Sequence, residues 1–553
     1  MNRPVSGGKP GAGAQRQGGG NGKPAGENAG AGKQQRAAAK SGARSGGTGR
    51  QPSVAGRPNA GSGGTNRKPG SSKPSAASKP SAGSAGAGGQ RPKRRPATAR
   101  EVALDVLVKV EKENAFSNLA LSGALQHAEL SRQDAGLATE LVYGTIQRKL
   151  SIDHALSELA AKGLAKLEPW VLQLLRLSAY QLLFLDRVPA HAAVNEAVAI
   201  AKRRGHAGIS GMVNGMLRNL LRRKDELAPE AAASQPGIAP ARRIALRHSY
   251  PEWLVARWIA AYGEAAAERI CAAGNEAPRS SIRVNQLRST REQAIAELAE
   301  DGIEAELSKL SPDGVVARRG GSLADTIGFR DGKWTIQDES SMLVAGAARP
   351  QPGMTVLDCC AAPGGKTTHL AELMGDKGRV VANDVHPHKQ ALIEQQAERL
   401  GLSSVQAVTG DAAELGERFS LASFDLVLLD APCSGFGVIA RKPEIKWTKT
   451  EDDVAAIASI QERLLESAAG LVKPGGRLVY STCTIEREEN ELQVERFLAK
   501  HPEYELDAEW PPELLAALRS CGAADESFAG AVQLLPSHNG SDGFYIATLS
   551  RRP

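Results

Sequence analysis

The chain contains 553 residues, which exceeds the size of one compact domain and predicts several. Residues 1–100 carry 19 Lys and Arg against one acid, whereas residues 101–553 carry 50 Lys and Arg against 60 Asp and Glu. The basic character therefore belongs to the N-terminal segment, and any surface for nucleic acid on the mildly acidic remainder must be local.

Six cysteines without a CxxC pair exclude a disulfide scaffold and a zinc finger, so we expect no metal. No apolar run approaches the roughly 18–20 residues that a membrane span requires. The N-terminus also lacks the apolar region of a secretory signal. We therefore expect a cytoplasmic protein that does not enter a membrane, and a monomer.

Residues 1–96 consist mainly of Gly, Ala, Ser, Pro, Lys and Arg. Such a segment cannot bury enough apolar surface to offset the entropy lost on ordering, which predicts a disordered basic tail. Two roles stay open for it. The tail is either a solvated extension without a specific role or an arm that tethers RNA non-specifically through its charge.

Residues 97–230 show apolar residues at spacings of three and four, which predicts an all-α domain. Pro189 should break one helix and Gly205 should end the next. Cations cluster near the ends of the last two helices, where they either complement helix C-termini or bind RNA phosphate. The cluster comprises Arg203, Arg204, Arg218, Arg222, Arg223 and Lys224.

A stretch rich in Pro, Ala and Ser, residues 228–241, is expected to separate the helical domain from the next one. Residues 240–345 mix helix and strand patterns and predict a small α+β module. Within it, residues 280–287 are typical of a strand. Residues 290–302 are typical of a helix with Thr290 as its N-cap.

Residues 346–553 alternate short runs rich in β-branched residues with helical stretches. This alternation predicts an α/β fold, a Rossmann-like parallel sheet covered by helices on both faces. Ligands of such sheets bind outside the carboxyl ends of the strands. The predicted strands lie within residues 354–361, 378–385, 404–411, 424–431 and 475–482.

The first of these strands ends at Asp358 and leads into Gly364 and Gly365, which permit a tight turn and close approach of a ligand. Two kinds of site compete here. Residues 360–367 differ at one position from a phosphate-binding P-loop, which requires Gly where Cys360 stands.

Acidic residues at the next strand ends favour the other kind of site. Asp384 closes the second strand, where a carboxylate suits a ribose diol. Asp411 follows the third strand and suits an adenine amino group. Three acids at successive strand ends suit a neutral nucleoside with a cationic sulfonium and would repel a triphosphate. We therefore expect a methyl-donor site.

Cys433 and Cys483 follow the fourth and fifth strands. One such cysteine would ordinarily be a buried structural thiol, but two at carboxyl ends indicate a reactive pair. A thiolate that adds to C6 of cytosine allows C5 to attack a donor methyl group. A base must then remove the C5 proton as the thiol leaves, and the target base must be unstacked. These residues alone do not rank the two thiols.

Two further side chains fit this chemistry. Asp430 can hydrogen-bond the N3/N4 edge of the base and favour the protonated adduct. Lys366 can orient Asp430 or lower the pKa of a thiol.

The motifs resemble those of the Nop/Sun family of RNA 5-methylcytosine methyltransferases. The match is carried by "DCCAAPGGKTTH" (358–369), "NDVHPHK" (383–389), "GDA" (410–412), "DAPCSGFGVIARKPEIKW" (430–447), "STCTIEREENE" (481–491) and "DGFYIA" (542–547). The helical domain in turn resembles the NusB-type RNA-binding fold in residues 144–157, 176–198 and 213–222.

The resemblance extends over about residues 98–553 and implies a class I methyltransferase domain at residues 346–553. It implies S-adenosylmethionine as the cofactor and 16S ribosomal RNA as the partner. It makes Cys483 the nucleophile and Cys433 the residue that assists product release, with Asp430 and Lys366 in the same site. The implied cofactor residues are Cys360, Ala361, Ala362, Pro363, Gly364, Gly365, Lys366, Asp384, Asp411 and Asp430.

Two other functions stay open at this point. The chain could be an RNA-binding assembly factor that keeps the fold without turnover, although a pure binder has no need of two thiols at these positions. It could also be a P-loop NTPase.

Overall fold

The computed structural model describes residues 97–553, so the predicted basic tail lies outside the described residues. The N-terminal domain is entirely helical, as predicted. Its helix α5 is buried along most of its length and is surrounded by the others. The helices are α1 (Ala99–Glu113), α2 (Ser117–His127), α3 (Arg132–Gln147), α4 (Lys149–Ser157), α5 (Pro169–Phe184), α6 (Ala190–Arg204) and α7 (Ala207–Arg222).

The helix ends follow the local sequence signals. Gly205 is the C-cap of α6, as predicted. Helix α5 ends at Phe184, and Pro189 is the N-cap of α6. Three members of the cation cluster are already paired with carboxylates: Arg203 with Glu101, Arg204 with Asp105 and Arg223 with Glu226. This pairing favours a structural role for much of that cluster.

The segment predicted as a linker is partly folded. Residues Pro229, Ala232 and Ala233 are buried in a short helix, α8, which packs against the helix that follows it. Small side chains allow this close packing, which composition alone did not indicate. The helices here are α8 (Pro229–Ala233), α9 (Pro240–His248), α10 (Glu252–Tyr262) and α11 (Glu264–Ala273).

The α+β module contains an antiparallel sheet in the order β2-β3-β1-β4. The predicted strand and helix are both confirmed, and the Thr290 hydroxyl accepts from the Gln293 amide in a capping box. Ile282, Leu298 and Trp334 form part of its core. The elements are β1 (Ser280–Val284), α12 (Arg291–Glu300), β2 (Glu304–Leu307), β3 (Gly314–Arg319), α13 (Ile327–Arg330), β4 (Trp334–Ile336) and α14 (Glu339–Ala348).

The C-terminal region is the predicted α/β domain. Its first elements are β5 (Thr355–Asp358), α15 (Gly365–Leu373), β6 (Arg379–Asp384), α16 (Pro387–Leu400), β7 (Val405–Thr409), α17 (Leu415–Arg418), β8 (Phe424–Asp430) and α18 (Ile445–Thr448). The rest are α19 (Glu451–Leu471), β9 (Val472–Thr482), α20 (Glu491–Lys500), β10 (Tyr504–Leu506), α21 (Pro512–Ser520), β11 (Ala531–Leu534), α22 (Pro536–Asn539) and β12 (Phe544–Arg551).

Five strands run parallel in the order β7-β6-β5-β8-β9, which confirms the predicted Rossmann-like sheet. Strand β12 pairs antiparallel with β9, and β10 and β11 both pair with β12. The chain order reverses beside β5, because β6 and β7 lie on one side of it and β8 and β9 on the other. A crevice therefore opens at the carboxyl ends of β5 and β8.

Helices cover both faces of this sheet. On one face Leu343, Leu370 and Leu514 pack with strand residues such as Val356 and Leu428. Leu465 of α19 and Phe497 of α20 lie in the cluster on the other face. Within residues 97–553, no helix is both long and apolar enough to cross a membrane.

Candidate active site

The turn after β5 is built for close approach. Gly364 adopts a positive φ of 104°, and its amide donates to the Ala361 carbonyl at 2.7 Å. A Cβ at Gly364 would lie 3.3 Å from the Cα of Ile393. The Ala362–Pro363 bond is cis, and Gly365 begins α15. The predicted cofactor residues 360–366 thus form one tight loop at the mouth of the sheet.

The predicted acids lie at the neighbouring strand ends. Asp384 is buried at the end of β6 and accepts from the His386 amide at 3.0 Å. Asp411 is exposed beyond β7 and accepts from the Ala413 amide at 2.9 Å, so it also caps a short helical turn. Burial raises the pKa of the Cys360 thiol, and the neighbouring carboxylates raise it further, namely Asp358, Asp430 and Asp384. The glycine turn, Asp384 and Asp430 therefore share one crevice, whereas Asp411 lies at the exposed end of β7.

Asp430, at the end of β8, is held by two donors. Lys366 Nζ donates to its Oδ2 at 2.8 Å, and the Ser481 hydroxyl donates to its Oδ1 at 2.8 Å. Lys366 also lies 5.0 Å from the centroid of the Phe544 ring. Burial alone would lower the pKa of Lys366, but the Asp430 carboxylate outweighs burial and raises it. Lys366 is therefore a cation that fixes Asp430 in the crevice.

The two predicted thiols meet. The Sγ atoms of Cys433 and Cys483 are 3.3 Å apart without a disulfide, although 50 residues separate them in the chain. Each is half-buried. Strands β8 and β9 are adjacent and parallel, so their carboxyl ends deliver both cysteines to the same edge.

Hydrogen bonds between the flanking residues fix this juxtaposition. The Ser434 and Thr484 hydroxyls, one residue beyond each cysteine, are 2.7 Å apart. The Gly437 amide donates to the Cys483 carbonyl at 3.1 Å. A Cβ at Gly437 would lie 1.9 Å from the Gly543 carbonyl oxygen, so only glycine allows the backbones to approach this closely.

The surroundings distinguish the two thiols. A hydrogen bond from Cys433 lowers the pKa of Cys483 against the effects of burial and Asp430, and Lys366 lowers it further. The same contact, burial and the nearby Glu489 raise the pKa of Cys433 well above its ordinary value. This environment favours ionisation of Cys483, with Cys433 as the hydrogen-bond donor to it.

Glu489 was not predicted from the sequence. It is buried, and its Oε2 accepts from the Ser434 amide at 2.9 Å and from Gln461 Nε2 at 3.0 Å. Burial raises its pKa to about 7. It positions the loop that carries Cys433. The signal was its place in "STCTIEREENE", which holds four acids, and the sequence does not show that Glu486 and Glu489 are the buried ones.

Arg283 is a second residue that was not predicted. It lies on β1, is fully buried, and donates to the Gly365 carbonyl at 2.6 Å and to Glu372 Oε1 at 2.8 Å. The α+β module thus supports the glycine turn directly. A charged residue between Ile282 and Val284 of the strand "SSIRV" was the available signal.

The crevice fits S-adenosylmethionine. Asp358 Oδ1 and Asn383 Oδ1 are buried without a partner in the described residues, and the glycine turn lets backbone come close to a ligand. The carboxylates of Asp384 and Asp430 suit hydroxyls and a cationic sulfonium better than phosphates. This acidic set argues against the P-loop alternative. Among residues 97–553, no group of His, Cys, Asp and Glu has the arrangement of a metal site.

Family models match three parts of the chain. Residues 345–550 match "16S rRNA methyltransferase RsmB/F", and residues 97–222 match the NusB family. Residues 250–323 match an RsmF/B-like ferredoxin-like domain. The fold and the crevice therefore define a class I methyltransferase that uses S-adenosylmethionine, preceded by NusB-like and ferredoxin-like domains.

Relatives agree over most of the chain. "Probable ribosomal RNA small subunit methyltransferase B" of Bacillus subtilis is 46% identical, over 82% of this chain and 99% of the relative. The protein of the same name from Synechocystis is 36% identical over 82% of this chain and 99% of the relative. The chain belongs to the RsmB/F family of 16S rRNA methyltransferases.

A solved structure shows a similar arrangement of domains. The crystal structure of PH0851 aligns with a TM-score of 0.69 at 29% identity. The alignment covers 83% of this chain and all of PH0851. The similarity therefore extends well beyond the methyltransferase domain.

Proposed function

We propose that this enzyme methylates C5 of a specific cytosine in 16S rRNA through a covalent adduct with Cys483. The observation that carries the proposal is the 3.3 Å contact between the Cys433 and Cys483 sulfurs, beside the Lys366–Asp430 pair. A methyltransferase that modifies an already nucleophilic nitrogen or oxygen needs no such thiol pair. Cytosine C5 needs one nucleophile such as a thiol, because it becomes nucleophilic only after addition at C6, and a second thiol can assist the later release.

Cys483 begins the reaction as the nucleophile. The hydrogen bond from Cys433 and the positive charge of Lys366 favour its thiolate. The thiolate forms a bond to C6 of the unstacked cytosine, and the C5=C6 electron pair moves onto C5 and is delocalised through C4 to N3, which takes up a proton from solvent. Asp430, held by Lys366 and Ser481, faces the N3/N4 edge and stabilises the protonated form of the adduct.

The loop of residues 360–366, together with Asp384, Asp411 and Asp430, would hold S-adenosylmethionine. When bound, this cofactor supplies an electrophilic methyl group at its sulfonium. The residues of the chain orient and shield the site. The cis Ala362–Pro363 turn and Gly364 shape the loop, while Arg283 braces it from behind.

Cys433 assists the release of the product. After C5 has gained the methyl group, a base takes the C5 proton, the C5=C6 double bond re-forms and the C6–S bond electrons return to Cys483. The Cys433 thiol lies 3.3 Å from that departing sulfur and can donate a hydrogen bond to the thiolate. Loss of this donor should slow elimination more than addition.

The test is methylation of unmethylated 16S rRNA with methyl-labelled S-adenosylmethionine, followed by bisulfite mapping. We expect label at a single cytosine that resists bisulfite conversion, and no label with Cys483→Ala. Cys521→Ser is the matched control and should retain full activity, because Cys521 is a half-buried thiol that follows α21 as its C-cap, outside the crevice. Label on a nitrogen or on ribose, or normal activity of Cys483→Ala, would contradict the proposal.

A further inference from the structure

A cleft of about 680 Å³ lies between the NusB-like helices and the loop that follows Cys433. One wall contains Tyr143, Tyr180 and Phe184, and the other contains Arg441. The volume falls within the roughly 300–1,000 Å³ range of small-ligand pockets. Aromatic faces beside a cation are typical of sites for unpaired nucleic-acid bases.

Arg148 is the unusual cation of this cleft. Its guanidinium lies 5.1 Å from the centroid of the Phe184 ring. Among residues 97–553, no carboxylate forms a salt bridge with it, whereas Arg441 is paired with both Asp338 and Asp542. Arg148 is therefore the cation of the cleft that is left to bind an anion.

The aromatic wall is a specifically packed feature. The Tyr180 ring lies against the backbone of α3 at Gly144, where a Cβ would come within 1.9 Å of it. Tyr180 and Phe184 stack with centroids 5.6 Å apart and planes at 24°. The Tyr180 hydroxyl donates to Glu140 at 2.5 Å, and Glu140 is the one acid among the described residues that line the cleft. Tyr180 is itself buried, so the half-buried rings of Tyr143 and Phe184 supply the ordered aromatic surface beside Arg148.

The cleft is continuous with the active-site loop. Ala440 and Arg441 line it, and the next residue, Lys442, lies close enough to Cys483 to lower the pKa of that thiol. Lys442 also lies 5.5 Å from the ring centroid of Phe116, an exposed residue of the NusB-like domain. A strand of RNA whose cytosine reaches Cys483 would therefore pass this cleft.

We propose that the cleft binds an unpaired nucleotide that neighbours the target cytosine in the RNA. The aromatic wall stacks on its base, and Arg148 binds its phosphate. This inference rests on the proposed RNA cytosine substrate. It assigns the NusB-like domain a direct part in the recognition of that substrate, next to the catalytic loop.

The test measures KM, kcat and the salt dependence of binding for unmethylated 16S rRNA. Arg148→Gln should raise KM about tenfold with kcat unchanged, and reduce the slope of log affinity against log salt by about 0.7, one phosphate. Arg148→Lys should restore most of the affinity. Phe184→Leu keeps an apolar side chain but loses the ring, and should weaken binding about fivefold or more.

The matched control is Lys162→Gln, which removes an exposed cation of the same domain that does not line the cleft. Photocrosslinking of a 4-thiouridine-substituted transcript should label the peptides that contain residues 139–148 or 180–184. If the wild-type enzyme methylates cytosine and Arg148→Gln has the same KM and salt slope, the inference about the cleft is overturned while the proposed function stands. A wild-type enzyme that does not methylate cytosine would instead overturn the proposed function.

Discussion

Replacement of Lys366 by Met tests whether the ion pair with Asp430 organises the crevice. The variant keeps the length and apolar stem of the side chain but removes the charge. It leaves Asp430 with the Ser481 hydroxyl as its remaining side-chain donor in the described residues. We expect lower stability, slower methyl transfer and a higher pKa for Cys483, because Lys366 favours both carboxylate and thiolate.

The size of the stability effect follows from the geometry. Two unit charges 2.8 Å apart attract by about 6 kcal/mol at an effective dielectric constant of 20. Most of this offsets the dehydration of the two ions. Removal of one partner of a buried pair costs about 3–5 kcal/mol. Asp430 keeps 28% of its side-chain surface exposed, so we expect the lower end, about 3 kcal/mol.

Urea denaturation of Lys366→Met, Asp430→Asn and the double variant measures this effect. In the Asp430→Asn background no carboxylate is stranded, so Lys366→Met should cost only about 1 kcal/mol, a coupling of about 2 kcal/mol. When single-turnover rates are measured against pH, the acidic limb of the profile should move to higher pH in Lys366→Met. Additive stability losses to within about 0.5 kcal/mol, or an unmoved limb, would refute the reasoning.

Two further predictions concern buried groups. Burial raises the pKa of Asp358 to about 7, so its protonated form stabilises the folded state at low pH, and that contribution is lost as pH rises from about 4 to 7. In Asp358→Asn the unfolding free energy from urea titrations should therefore fall less between about pH 4 and 7, by up to about 4 kcal/mol, than in the wild type. The same pH dependence in both proteins would contradict the raised pKa of Asp358. Gly144→Ala should cost about 1–3 kcal/mol in thermal unfolding, because its Cβ meets the Tyr180 ring. Tyr180→Ala should remove most of this additional cost, and equal costs in both backgrounds would argue against the clash.

The sequence predicted the strand ends well because local signals mark them. Asp358, Asp384 and Asp430 close their strands as expected, and the parallel pairing of β8 with β9 brings Cys433 and Cys483 together. Strand periodicity and β-branched runs suffice for this much. The 3.3 Å contact and the opposite pKa shifts of the two thiols depend on their three-dimensional surroundings.

Contacts between distant segments could not be predicted from one sequence. Lys446 is buried and donates to the Gln147 and Ser249 carbonyls, which lie 299 and 197 residues away in the chain. Ser117 of the NusB-like domain donates both its amide and its hydroxyl to Glu444. These contacts attach the loop after Cys433 to the N-terminal domain. Periodicity within one helix or strand does not predict such contacts, because it reports only the buried face of that element and not which distant residue packs against it.

The most direct test of the central claim is covalent trapping. Incubation of Cys433→Ala, which removes the hydrogen-bond donor, with S-adenosylmethionine and unmethylated 16S rRNA should give a protein–RNA adduct that survives a denaturing gel, because Cys483 attacks but leaves slowly. The Cys483→Ser variant and the double variant should give none. An adduct formed by Cys483→Ser, or peptide mapping that places the RNA on another residue, would contradict the account.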